Sequence, residues 1–217
     1  MKKFIAFALF FAISLSLLSG CSGDPADTPV SNPGSNGDDG VVTETQDAFV
    51  VLPSQLISLE DAARLLGEEM TADEDKYDAV ESGLTGKARG VYHTADESNS
   101  IFIFQIVVYQ DSLLDKVLID SMGGTKGQGN RNRANGLESE TAEEIEGIGD
   151  WAYIDGLKKL MAEVNIGYGD YFLTLITTGT PKDSDFETYG DDHAAWRKEV
   201  LIEAGKLAVE HLKEILK

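Results

Sequence analysis

The sequence predicts an α+β fold: an α/β/α sandwich in which a mainly antiparallel sheet is covered by helices. Three observations lead there. Ile101 to Tyr109 is apolar at every position but Gln105 and rich in β-branched and aromatic residues, which fits a strand covered on both faces. Leu160, Ala162, Val164 and Ile166 alternate with Met161, Glu163, Asn165 and Gly167, the two-residue period of a strand whose second face is wet or only partly covered. From about Asp192, residues Trp196, Val200, Ala204, Leu207, Ala208, Leu212 and Ile215 keep a period of about 3.6, the stripe of a long amphipathic helix.

The remaining elements follow in chain order. In "ISLEDAARLLG", Ser58 is a helix N-cap with Asp61 three residues on, Leu59, Ala62, Ala63 and Leu66 form an apolar face, and Gly67 is the stop. The acidic segment after it, up to Gly86, is weakly patterned and reads as a loop with at most a helical turn. "GKARGVYHT" predicts a strand around Ala88 to His93, closed by a turn at "DES". After the Ile101–Tyr109 strand, "DSLLDKVLIDSMGG" predicts a helix capped by Asp111, with Leu114, Val117, Leu118 and Met122 on one face and Gly123 as C-cap. "GGTKGQGNRNRANG", residues 123–136, reads as a flexible surface connection. "DWAYI", the alternating segment at Leu160 and "DYFLTLITTG" then form a three-stranded antiparallel meander.

Ahead of this domain, Lys2 and Lys3 precede an apolar run from Phe4 to Leu18, the layout of a secretory signal. The run is shorter than the roughly 20 residues a membrane-spanning helix needs. Leu18-Ser19-Gly20-Cys21 resembles the lipobox of bacterial lipoproteins. That resemblance implies cleavage before Cys21 and diacylglycerol on its thiol, which makes Cys21 the lipid-attachment residue. Residues 1–20 are then the signal peptide, 21–47 a lipidated cysteine with a Gly-, Pro- and Ser-rich tether, and 48–217 a single globular domain. Two or three acyl chains anchor stably where one does not, so the expected location is the extracytoplasmic face of a cell membrane, or the periplasm. The tether has a typical span of roughly 25 to 30 Å. Cys21 is the only cysteine, so the fold rests on its core without disulfides.

The formal charge is -20, and loss of Lys2 and Lys3 with the signal makes the mature chain more acidic still. A nucleic-acid binder needs a basic stripe to neutralise phosphates, so nucleic acid is excluded as a partner.

An early "SLEDAARLLG" helix, a "GIGDWAY" entry to a strand, the terminal amphipathic helix and the lipobox tether together look like small lipoproteins of unknown function whose domain is similar to the PsbP-like sandwich. The resemblance spans most of residues 55 to 216. It implies a non-enzymatic binding or assembly module and supplies no catalytic residue.

Motifs with chemical content are few. Lys126, Arg131 and Arg133 form a basic group that suits contact with an anion or a partner, but the surrounding glycines match neither a P-loop nor a dinucleotide fingerprint. Asp183, Asp185 and Glu187, with Asp191, Asp192 and His193 close behind, carry calcium-ligand chemistry. The EF-hand pattern breaks at Thr188 and Ala194, and acidic residues before a helix also complement its positive end. His93, His193 and His211 are dispersed and suit surface or partly buried structural roles. Ser121 lacks the glycine-flanked elbow of a hydrolase nucleophile. Trp151, Tyr153, Tyr168 and Tyr171 fall near strand ends and read as the rim of the core. The expectation is a membrane-tethered, non-catalytic module without a cofactor that binds a partner protein or a small ligand. The alternatives are a cell-envelope hydrolase using carboxylates and a calcium-binding lipoprotein.

Overall fold

The computed structural model describes residues 51–74, 76–80, 87–94, 103–124, 127–181 and 184–217, all within one compact unit. The expected export signal, Cys21 and the expected tether lie outside the described residues, as do Lys126 and Asp183.

Among the described residues eight strands make one sheet, and every pairing is antiparallel. β1 (Met70–Thr71) and β2 (Ala79–Val80) both pair with β3 (Lys87–Thr94), which pairs in turn with β4 (Ile103–Gln110). The order continues with β8 (Tyr171–Thr178), β7 (Met161–Tyr168), β6 (Trp151–Asp155) and β5 (Glu143–Ile145). The chain leaves β4 through two helices, α3 (Asp111–Met122) and α4 (Gln128–Leu137), runs the meander from β5 to β8, and returns beside β4.

One face of the sheet is sealed. Side chains alternate across a strand, so Phe104, Ile106 and Val108 of β4 share a face with Val164 and Ile166 of β7 and Leu173 and Leu175 of β8. α1 (Pro53–Leu56), α2 (Leu59–Leu66) and α5 (Asp191–Ile215) cover it with Leu56, Leu66, Leu201, Ala204, Ala208 and Leu212. Each large apolar side chain buried this way contributes about 1.5–3 kcal/mol, the main term holding the domain together. Three polar contacts fix the helices on that face. Tyr92 Oη donates to the Ile57 carbonyl at 2.7 Å, and His211 Nδ1 donates to the Leu56 carbonyl at 2.8 Å. Arg197, 1% exposed, donates to the carbonyls of Gly179, Lys159 and Leu160 at 2.7–3.1 Å, tying α5 to the ends of β7 and β8. Burial pulls its pKa down to about 10, and the charge persists at neutral pH.

Several elements depart from the sequence expectation. The acidic stretch after Gly67 supplies β1 and β2 where a loop was expected, and β5 adds a fourth strand to the meander. Leu160, expected to face inward, is 57% exposed because it sits in the turn before β7. Asp111 is the first residue of α3 and does not cap it. That role falls to Asp170, whose carboxylate accepts from Ser112 N at 2.9 Å and from Ser112 Oγ, while Asp111 accepts from Gly129 N at 3.1 Å. The connection after Gly123 is helical over Gln128–Leu137 despite two glycines and three asparagines. Gly136 explains it: the helix presses so closely on β6 that a Cβ there would stand 2.0 Å from Tyr153 Oη. β4 is covered completely on one face only, since Gln105 and Tyr109 on the other are partly exposed. The α2 expectation holds in detail: Ser58 Oγ accepts from Asp61 N at 3.1 Å and Gly67 takes φ 75°.

Candidate functional site

The second face of the sheet carries a different chemistry, and strand register builds it in three rows. Lys87, Tyr109, Phe172, Gly167 and Trp151 are successive cross-strand partners and form an aromatic row with a lysine at its end. One pleat along, Arg89, Val107, Thr174, Asn165 and Tyr153 line up. The third row runs Val91, Gln105, Ile176, Glu163 and Asp155.

The polar members are bonded to one another, both across and along the strands. Thr174 Oγ1 donates to Asn165 Oδ1 at 2.7 Å, and Asn165 Nδ2 donates to Glu163 Oε1 at 2.8 Å. Asn165 and Thr174 are buried, so the pairing matters: an orphaned amide there would cost about 1–3 kcal/mol. Arg89 Nη2 donates to Gln105 Oε1 at 3.0 Å, and among the described residues it meets no carboxylate. In the aromatic row Tyr109 and Phe172 lie 5.5 Å apart and Phe172 and Trp151 5.7 Å, with the Lys87 ammonium 5.6 Å from the Tyr109 ring. Gly167 makes the row possible, since a Cβ there would meet the Trp151 ring at 2.2 Å.

α4 roofs one side of this face. Its Gly136 rests on the Tyr153 hydroxyl, and its Asn132 and Asn135 face the polar rows. Between helix and strands lies a groove of about 440 Å³, lined by side chains of all three rows and by those two asparagines. Small-ligand clefts span about 300–1,000 Å³. Burial, with the charges of Glu163 and Asp155 added, pushes the Tyr153 hydroxyl up to about 12, so it stays a neutral donor.

No protein-family model, curated protein or solved structure matches the chain.

The residues singled out from the sequence fall mostly elsewhere. Arg131 and Arg133 lie on α4, and both are engaged. Arg133 Nη2 is 2.8 Å from Glu144 and its guanidinium lies 5.4 Å from the Trp151 ring centre, while the charge of Arg131 bears on Asp111. Asp185 and Glu187 are exposed, and among the described residues no group of three or more carboxylate, histidine or cysteine side chains is placed to hold a metal. His93 is half-buried, with Nε2 3.4 Å from Asp73. His193 departs from expectation: it is fully buried, and neither ring nitrogen meets a partner among the described residues. Tyr171 enters the sealed core and Tyr168 packs at its margin under Lys213, whereas Tyr153 lines the groove and Trp151 packs behind it against Phe172.

A second depression, about 360 Å³, lies between the β6–β7 turn and the start of α5. Its floor is Leu157, Ala194 and Ala195, and its rim lysines are matched: Lys158 by Asp191, Lys159 by Asp155 and Lys198 by Glu143. Among the described residues each of its charged side chains has a counterpart.

Motif reading missed the groove residues Arg89, Gln105, Asn165 and Thr174, which come from four separate strands. The signal was alternation: Gln105 interrupts an apolar run, and Glu163 and Asn165 occupy the wet positions of β7.

Proposed function

We propose that the chain is a non-catalytic binding module, held outside the cell by lipid on Cys21, whose ligand seat is the groove between α4 and the second face of the sheet. The carrying observation is the Thr174–Asn165–Glu163 chain of hydrogen bonds beside the aromatic row. Its partners are fixed on paired strands and locked by one another, which preorganises donors and acceptors for a bound partner. A protein that only needed a solvated sheet face would gain nothing from burying an amide and a hydroxyl there.

The arrangement of helices on an antiparallel sheet supports the likeness to PsbP-like sandwich modules, and we infer the same kind of role, binding or assembly without turnover. The lipobox and the polar tether support the location. Among the described residues no helix is long and apolar enough to cross a membrane; the attachment at Cys21 rests on the lipobox resemblance alone.

Two experiments test the reading. Radiolabelled palmitate should enter the native chain and be lost in Cys21→Ser, which should leave the membrane fraction; retention of label would contradict the anchor. A photo-crosslinking amino acid at Gln105 should give adducts in intact cells, and one at Lys206, exposed on α5, should give none. Equal adducts from both positions would remove the groove as the binding surface.

A further inference from the structure

We propose that the groove seats a carboxylated saccharide, with Arg89 taking the carboxylate and the Asn165–Thr174 pair taking ring hydroxyls; this rests on the groove being the binding surface. A sugar hydroxyl both donates and accepts, so it is matched best by side chains that do both. The groove supplies those in Gln105, Asn165 and Thr174. Beside them Tyr109 and Phe172 present apolar rings, against which the C–H face of a pyranose packs. An extended peptide would look instead for main-chain partners. The strands under the groove have none to give, because β4 is paired to β3 and β8, and β8 to β4 and β7.

Charge selects an acidic sugar over a neutral one. The chain has 38 acidic residues against 18 basic, yet Arg89 lines this groove and meets no carboxylate among the described residues. The Arg89 guanidinium is held by the neutral Gln105 amide at 3.0 Å, which orients its planar fork without neutralising it. A carboxylate arriving there gains a charge-assisted pair.

Isothermal titration calorimetry of the full chain with tri-galacturonic acid, its methyl-esterified form and a tri-glutamate peptide tests the proposal. The acid should bind, the ester should bind at least about tenfold more weakly, and tri-glutamate should not bind. Arg89→Gln, at an exposed position, should bring acid and ester to equal affinity, and Asn165→Ala should weaken both while circular dichroism stays unchanged. Equal affinity of acid and ester for the unaltered chain overturns the proposal, as does a preference that survives Arg89→Gln. Tri-glutamate binding as well as the saccharide makes the groove a general anion site, which ends the saccharide assignment but leaves the binding surface standing. If none of the three binds at millimolar concentration the saccharide class is wrong, and the crosslink from position 105 reports separately on whether the groove binds anything.

Discussion

Replacing Gly136 by alanine strengthens most helices, by about 0.5–1 kcal/mol, because alanine loses less conformational freedom than glycine. On α4 the sign should reverse. The added methyl would stand 2.0 Å from Tyr153 Oη and 2.3 Å from Cζ, well inside van der Waals contact. The Tyr153 ring cannot simply swing away: it is 4% exposed and stacks on Trp151 with 9° between the ring planes. Either the helix lifts from β6 or the ring leaves its well, and overpacking of this kind costs about 1–3 kcal/mol. Net of the propensity gain, Gly136→Ala should destabilise by about 1–2 kcal/mol. In a domain of this size that is a fall in Tm of about 3–6 °C. Urea denaturation of the single variant, of Tyr153→Leu and of the double variant measures it, and the double variant should recover part of the loss because the obstructing ring is gone. A Gly136→Ala chain more stable than the parent would refute the reasoning, and with it the seating of α4 that walls the groove.

Other variants probe the sealed side. Arg197→Met should cost about 2–4 kcal/mol by urea denaturation, since the buried carbonyl of Gly179 loses its donor, and Arg197→Lys should not rescue it because one ammonium cannot span three carbonyls. A loss under about 0.5 kcal/mol would contradict the anchoring role. Ser58→Ala should cost about 1 kcal/mol through the loss of the α2 cap, read as a shift in the urea midpoint. Burial and the neighbouring Arg197 hold His193 below its ordinary value of 6.5, so the unfolded chain takes up the proton first and stability is lost as pH falls below about 6.5. His193→Leu should therefore flatten the urea midpoint between about pH 7 and 5.5, where the unaltered chain declines. An equal decline in both would assign the loss to other groups.

Local signals made most of the scaffold legible. The Ser58 cap, the alternation of β7 from Ala162 to Ile166 and the apolar stripe of α5 are decided by neighbours a few residues away, and each appears where the pattern placed it. α4 was hidden because its helix is imposed from outside: glycines that argue for a loop are there to let the backbone reach Tyr153 and the Asp111 carboxylate. β1, β2 and β5 are two or three residues long and owe their form to the strands they pair with. The anchoring by Arg197 left no mark in the sequence pattern, since nothing nearby in sequence announces the carbonyls of Lys159, Leu160 and Gly179. The groove was unreadable for the same reason in stronger form, because Arg89 and Thr174 share a row only through the registers of β3 with β4 and β4 with β8.

On the proposed function the two faces of this sheet divide the work, one sealing the core and the other receiving a ligand. The most direct measurement is a proton–nitrogen shift map of the full chain titrated with a cocktail of small carboxylates, amides and polyols. Shifts concentrated on Arg89, Gln105, Asn165, Thr174 and the facing turn of α4 are the predicted result. Shifts gathered instead around the exposed Leu160 and Phe186, with the groove residues unmoved, would contradict it.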